Sequence, residues 1–157
     1  MGSANDWPTV KKAADVLDAL AIPHEVRVLS AHRTPAEVHE YAVGAADRGI
    51  QVLVGCAGMA AHLAGVLAAL TNLPVIGVPL SGGIAQGLDA LLSVAQMPSG
   101  FPVATVAVDG AANAGWLAAR IIALTDAEVA KRLDEAREGE RQRILDADGK
   151  LQSELEA

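Results

Sequence analysis

The chain has a single cysteine, almost no aromatic residues and a middle half nearly empty of charge. One cysteine, Cys56, excludes an intrachain disulfide and fits a reducing, cytoplasmic compartment. Aromatics make up 3% of the 157 residues and hydrophobic residues 52%, so the core must be aliphatic and alanine-rich. No basic cluster with interleaved aromatics occurs and the net charge is −7, which argues against nucleic acid as a partner. No histidine or cysteine pair has metal-ligand spacing, so no metal is expected. The segment Ser81–Gly87 is glycine-rich but lacks the Lys-Ser/Thr ending of a P-loop. No G-x-G-x-x-G motif opens a helix after a strand, so no nucleotide cofactor is expected either. No basic-then-apolar leader opens the chain, which argues against a signal peptide. Val52–Leu70 is apolar enough to suggest a membrane span, but Gly55, Gly58, His62 and Gly65 interrupt it. A strand, a loop and a helix account for it better.

From Ile50 to Thr125 the only Asp, Glu, Lys or Arg residues are Asp89, Asp109 and Arg120. Surface helices of a monomer need a polar face, and the helices expected there hardly have one. Large exposed apolar faces mark interfaces, so an obligate homo-oligomer is expected.

Strand and helix patterns alternate. Val10, Ala13, Ala14, Leu17 and Ala21 form one apolar helix face; Glu25–Leu29 alternates as a strand, and Ala36–Arg48 has helical spacing. Gln51–Val54 reads as a buried strand, Gly55–Gly58 as a turn and Ala60–Leu70 as a helix. Pro74–Val78 and Val103–Val108 read as strands, Leu88–Ala95 and Ala111–Leu124 as helices. Asp126 caps a last, charged helix reaching about Leu145. Strands separated by helices imply a three-layer α/β fold with a parallel sheet. Residues 1–125 form the α/β domain, and residues 126–157 a helix and tail packed on it or on a neighbouring subunit.

Three loops and a flap carry the chemistry. Ser30-Ala31-His32-Arg33-Thr34-Pro35 follows a strand pattern and precedes a helix, with Thr34 and Glu37 spaced as a capping box and Pro35 at the first helical position. In open α/β sheets that edge binds ligands. Arg33 suits a phosphate or carboxylate, and His32 suits acid–base work at neutral pH. Gly2-Ser3-Ala4-Asn5-Asp6 opens a helix and allows backbone approach to an anion, with Ser3 and Asn5 as donors. Asp6 repels phosphate and suits ribose hydroxyls or a proton; plain helix capping by Asn5 or Asp6 is the competing reading. In Gly55–His62, Gly58 permits close backbone approach, and His62 is either a ligand-facing or a core or interface histidine. Ser81–Gly87 reads as a mobile flap.

These motifs resemble the N5-carboxyaminoimidazole ribonucleotide mutases, the catalytic-subunit family of phosphoribosylaminoimidazole carboxylase. The marks are Gly-Ser-x-x-Asp-Trp at Gly2–Trp7, Ser-Ala-His-Arg-Thr-Pro at Ser30–Pro35 and Ala-Gly-x-Ala-Ala-His-Leu at Ala57–Leu63. To these is added Gly-x-Asp-Ala-Leu-Leu-Ser-x-x-Gln-Met-Pro at Gly87–Pro98. The resemblance covers Gly2 to about Leu145, and the Ala-Ala-His-Leu segment is that of the mutase branch. It implies a flavodoxin-like sheet, an octamer with sites at subunit junctions, and carboxylate transfer from an exocyclic nitrogen to a ring carbon without metal, ATP or organic cofactor. It implies that Ser3 and Arg33 hold the phosphoribosyl part with help from Ser30 and Asn5. Asp6 binds the ribose or orients the reacting group, His32 is the general acid–base, and Gly58 and His62 lie against the reacting ring. Asn5 departs from the family, which usually has Ser there. Family members also carry an apolar central strand ending at the position of Met1, so the natural chain is expected to start upstream. A carboxylase using free carbon dioxide, a pyridinium-type carboxylase and a non-catalytic nucleotide-binding subunit remain alternatives at this point.

Overall fold

The computed structural model describes residues 1–156. In chain order the elements are α1 (Trp7–Ala19), α2 (Pro35–Val43), β1 (Leu53–Gly58), α3 (Leu63–Leu70), β2 (Val75–Leu80), α4 (Leu88–Ala95), β3 (Ala104–Thr105), α5 (Ala111–Ile122) and α6 (Ala127–Leu155). The sheet is parallel, in the order β1-β2-β3, with Leu53 opposite Val75 and Ile76 opposite Ala104.

The strands alternate between two apolar faces, as a period of two requires. Leu53 and Val75 face Val38, Ala42, Ala64, Leu67 and Val94 from α2, α3 and α4. Cys56, Ile76 and Val78 face Val10 and Ala13 of α1 and Ala111, Ala114 and Ala118 of α5. The result is three layers. Every residue of β2 is buried, which is why this central strand reads as a continuous apolar run. Small residues bring the layers close. A Cβ on Gly55 would lie 2.8 Å from Ala64 Cα, so only glycine lets α3 settle on β1 at this depth. A Cβ on Gly115 would lie 2.8 Å from Ala13 O, which sets the close α1–α5 contact.

Several elements differ from the sequence expectation. Glu25–Leu29 is extended but forms no strand, because among the described residues its only ladder-like partner is Met1: Met1 N donates to Arg27 O at 2.9 Å, and Leu29 N donates to Met1 O at 2.9 Å. Gly55–Gly58 is not a turn; β1 runs through it because Gly55 to Gly58 pair with Gly77 to Leu80. α3 starts at Leu63 rather than Ala60, and α2 ends at Val43, followed by a short 3-10 turn at Ala46–Arg48. The strand expected over Val103–Val108 is reduced to Ala104–Thr105. Ala21 lies beyond the end of α1 with φ +50° and is exposed, so it leaves the predicted apolar face.

α6 begins as expected, with Asp126 Oδ1 accepting from Glu128 N and Val129 N at 3.0 Å each. Its first turns bury Val129 and Leu133 against Leu20, Ile22 and Ala119. It continues ten residues past Leu145, to Leu155, and its second half is exposed and laced by pairs such as Arg141–Glu138 (2.9 Å) and Arg143–Glu140 (2.6 Å). Such pairs add only a few tenths of a kcal/mol each, which suits an exposed helix rather than a core element. No helix among the described residues is long and apolar enough to cross a membrane.

Candidate functional site

Three loops leave the sheet on the same edge. Gly2–Asp6 follows Met1, Ser30–Thr34 follows the extended Glu25–Leu29, and Met59–His62 follows β1. Because Met1 and Glu25–Leu29 hydrogen-bond in the parallel sense, all three loops follow carboxyl ends.

Each loop is shaped by its own residues. Ser3 Oγ accepts from Asn5 N at 3.2 Å, and Asp6 Oδ2 accepts from Ser3 N at 3.0 Å. This reciprocal pair is a capping box, and it turns the chain into α1 with Pro8 in the first turn. The box predicted at Thr34 and Glu37 does not form. Instead the Thr34 hydroxyl accepts from Ser30 N at 2.8 Å and donates to Ser30 O at 3.1 Å, while Thr34 N donates to the same carbonyl at 2.9 Å. Thr34 therefore locks the His32–Arg33 turn rather than capping α2; Pro35 does open that helix. Past β1 the chain turns at Met59, whose φ of +53° lies in the left-handed region. A Cβ on Gly58 would meet Leu80 O at 3.3 Å, so this residue keeps the ends of β1 and β2 together.

Two contacts join the three loops. Arg33 donates through Nη2 to Gly2 O at 2.6 Å and through Nε to Ser30 Oγ at 3.4 Å, which ties the second loop to the first. His32 Nε2 lies 2.8 Å from His62 Nδ1, with the rings edge-to-face at 83° and 4.9 Å between centroids, which ties the second loop to the third. One proton sits between the two ring nitrogens, so one imidazole donates and the other accepts. Arg33, His32, His62 and Asn5 are exposed, and Ser3, Asp6, Ser30 and Gly58 half-buried, so all these side chains can meet a ligand. The arrangement offers a guanidinium, two hydroxyls and a carboxylate near a pair of imidazoles. It can hold an anion and move a proton within one small region.

The sequence-predicted residues are thus brought together, and His62 is placed on His32 rather than in the core. Cys56 is not part of this chemistry. It is buried in β1, and burial pushes its thiol up to about 11, far from a reactive thiolate. Asp109 had no assigned role. Its Oδ1 accepts from Ser81 N at 2.9 Å and anchors the start of the Ser81–Gly87 segment. That segment carries Gly82, Gly83, Gln86 and Gly87 at positive φ, and Ile84 at its tip is wholly exposed. No group of three or more His, Cys, Asp or Glu residues among the described residues could hold a metal ion.

Residues 1–143 match the family described as AIR carboxylase. The N5-carboxyaminoimidazole ribonucleotide mutase of Bacillus subtilis (strain 168) is 51% identical over 153 residues, which cover 96% of this chain and 94% of that protein. The mutase of the same description from Pyrococcus abyssi (strain GE5 / Orsay) is 53% identical over 138 residues, 88% of this chain and 79% of that protein. Among solved structures, Treponema denticola PurE superposes with a TM-score of 0.85 at 30% identity, covering 96% of this chain and 94% of that one.

Proposed function

The chain belongs to the AIR carboxylase family, and from that membership we infer that it is an N5-carboxyaminoimidazole ribonucleotide mutase, an isomerase of purine biosynthesis. The observation that carries this reading is identity near one half, over nearly the whole chain, to proteins bearing that activity in their names.

The site supports the corresponding chemistry. The substrate carries its carboxylate on an exocyclic nitrogen and the product carries it on the neighbouring ring carbon. Protonating the nitrogen breaks the N–C bond and leaves carbon dioxide beside an electron-rich aminoimidazole. The ring carbon then attacks carbon dioxide, and removal of the proton from that carbon restores aromaticity. The proton given to nitrogen equals the proton taken from carbon, so one acid–base group suffices and no metal or redox partner enters the balance. His32 takes that role: it stands at the tip of its loop, and His62 holds its ring through the 2.8 Å contact. Arg33, with Ser3, Ser30 and Asn5, binds the phosphate, and its bonds to Gly2 O and Ser30 Oγ hold the guanidinium in place. Asp6 faces the ribose or the reacting group, and Gly58 lets backbone lie against the ring. The Ser81–Gly87 segment closes over carbon dioxide and keeps it beside the ring carbon, where proximity replaces electrophilic activation.

The enzyme works as a cytoplasmic homo-octamer in this reading. Support comes from Val43, Met59, Leu88, Leu92 and Phe101, large apolar side chains 47–63% exposed in the single chain. The exposed second half of α6, with Ile144, Leu151 and Leu155 outward, packs against a neighbouring subunit. Light scattering at micromolar concentration is expected to give one species of eight subunits, and a monomer at that concentration would end the oligomer reading.

Substrate choice tests the function. Incubated with the carboxyamino ribonucleotide alone, the protein is expected to form the ring-carboxylated product faster than the substrate decays in buffer. Product formed only from aminoimidazole ribonucleotide and bicarbonate would instead identify a carboxylase.

A further inference from the structure

The motif Gly87–Pro98 has no part in the proposed chemistry, and Asp89 is its only charged residue. Asp89 stands in the first turn of α4, half-buried, in a stretch with no Lys or Arg from Ile50 to Ala119. Its Oδ1 accepts from Ala90 N at 3.0 Å. Its Oδ2 accepts from no donor among the described residues and lies against the Ser81–Gly87 segment, where a Cβ on Gly83 would come within 2.9 Å of it. The same Cβ would lie 3.2 Å from Met59 Cγ. Gly83 therefore sits between Asp89 and the loop that follows β1, beside Gly58 and His62.

The Ser81–Gly87 segment is pinned at both ends and unbonded between them. Ser81 N donates to Asp109 Oδ1 at 2.9 Å. Gly87, at φ +97°, leaves no room for a side chain, because a Cβ there would lie 2.6 Å from Val108 Cγ1. Both anchors belong to the stretch that follows β3. Between them the N–H groups of Gly82, Gly83 and Ile84 donate to nothing among the described residues, and the Ile84 side chain is wholly exposed. Few buried contacts and unpaired backbone groups mark a segment that opens at little cost.

Charge decides what Asp89 Oδ2 can serve. The substrate of the mutase reading carries a phosphate and a carboxylate, so a carboxylate aimed at it would repel it. Gly83, against which Oδ2 already lies, brings free N–H donors instead. We propose that Asp89 is a positioning residue: with substrate bound, its Oδ2 accepts from the backbone N–H of Gly83 or Ile84 and latches the flap over carbon dioxide. The inference rests on the mutase reading. Asp89 touches no reacting atom; it keeps carbon dioxide beside the ring until the ring carbon attacks. Protonation of the exocyclic nitrogen splits the substrate into the amine nucleotide and carbon dioxide. With the latch open, carbon dioxide escapes to solvent, the amine nucleotide is left, and turnover ends in decarboxylation.

Label exchange tests the latch. The carboxyamino ribonucleotide is turned over in buffer equilibrated with isotopically labelled bicarbonate, and label in the product and free amine are measured after subtracting decay in buffer. The unsubstituted protein is expected to give product with little label. Asp89→Ala is expected to raise both label and free amine per product by about 10-fold. Asp89→Asn keeps a neutral acceptor oxygen in place and should leak about threefold less than alanine, since bonds to a charged acceptor are roughly twice as strong. Asp89→Glu keeps the charge at the start of α4 but displaces the acceptor, and should leak as alanine does. Gly83→Ala pushes the flap off Asp89 from an exposed position; it should leak like Asp89→Ala, and the double variant no more than either alone. Retention in Asp89→Ala equal to that of the unsubstituted protein overturns the latch and leaves the mutase reading standing. So does retention in Asp89→Glu with leakage in Asp89→Asn, which would make Asp89 a charge serving only the helix start. Leakage that multiplies in the double variant overturns it too. If Asp89→Ala does not fold, Gly83→Ala at unchanged Tm decides: leakage supports the latch, and retention overturns it. No product from the unsubstituted protein overturns the mutase reading and the latch with it.

Discussion

Replacing His32 by asparagine is expected to lower turnover by about 10²–10⁴-fold while leaving nucleotide affinity within about threefold. Asparagine keeps a polar group of similar reach but cannot exchange a proton near neutral pH. In the proposed mechanism one group must both give a proton to the exocyclic nitrogen and take one from the ring carbon, so the whole acid–base contribution is lost at once. The phosphate and ribose contacts lie on other residues, which is why binding survives. Calorimetric titration with the product nucleotide, alongside absorbance assays of turnover, separates the two effects. Near-normal turnover in His32→Asn would remove His32 from the mechanism. His62 could not then be promoted silently, because its Nδ1 contact to residue 32 would also be altered.

The second large effect is expected at Arg33. Hydrogen bonds to charged groups are worth about 1.5–3 kcal/mol, so Arg33→Met should raise KM by roughly 10–150-fold with a much smaller change in kcat. Lysine should recover only part of this. The guanidinium spends one N–H on Gly2 O and another on Ser30 Oγ, and it still has N–H groups for an anion. An ammonium is a point charge that cannot span the same three partners. Steady-state kinetics on Arg33→Met and Arg33→Lys check this. Unchanged KM in the methionine variant would move the phosphate to another part of the site.

Local pattern and tertiary context parted company at identifiable residues. Glu25–Leu29 alternates as a strand should, and its backbone is extended, but a strand exists only with a partner, and among the described residues only Met1 provides one. Thr34 and Glu37 have the spacing of a capping box, yet the Thr34 hydroxyl is captured by the backbone of Ser30 four residues earlier. The working capping box is Ser3 with Asp6, where Asp takes the place of the more usual Glu or Gln. Glycines at 55 and 58 look like a turn from their type alone. In the fold they are strand residues, small because Ala64 at Gly55 and Leu80 at Gly58 come so close.

The amino-acid sequence by itself determined the alternation of elements, the aliphatic core, the placing of His32 and Arg33 in a loop between an alternating segment and a helix, and the reading of Ser3 and Asp6 as the opening of a helix. Those features depend on residue type and short-range spacing. Only the tertiary structure decided which loops meet. His32 and His62 are 30 residues apart, and Arg33 and Gly2 are 31 apart, and no periodicity links either pair. Their contacts arise because parallel pairing sets neighbouring carboxyl ends side by side, and a partner for a backbone edge is chosen by the whole sheet rather than by any one segment.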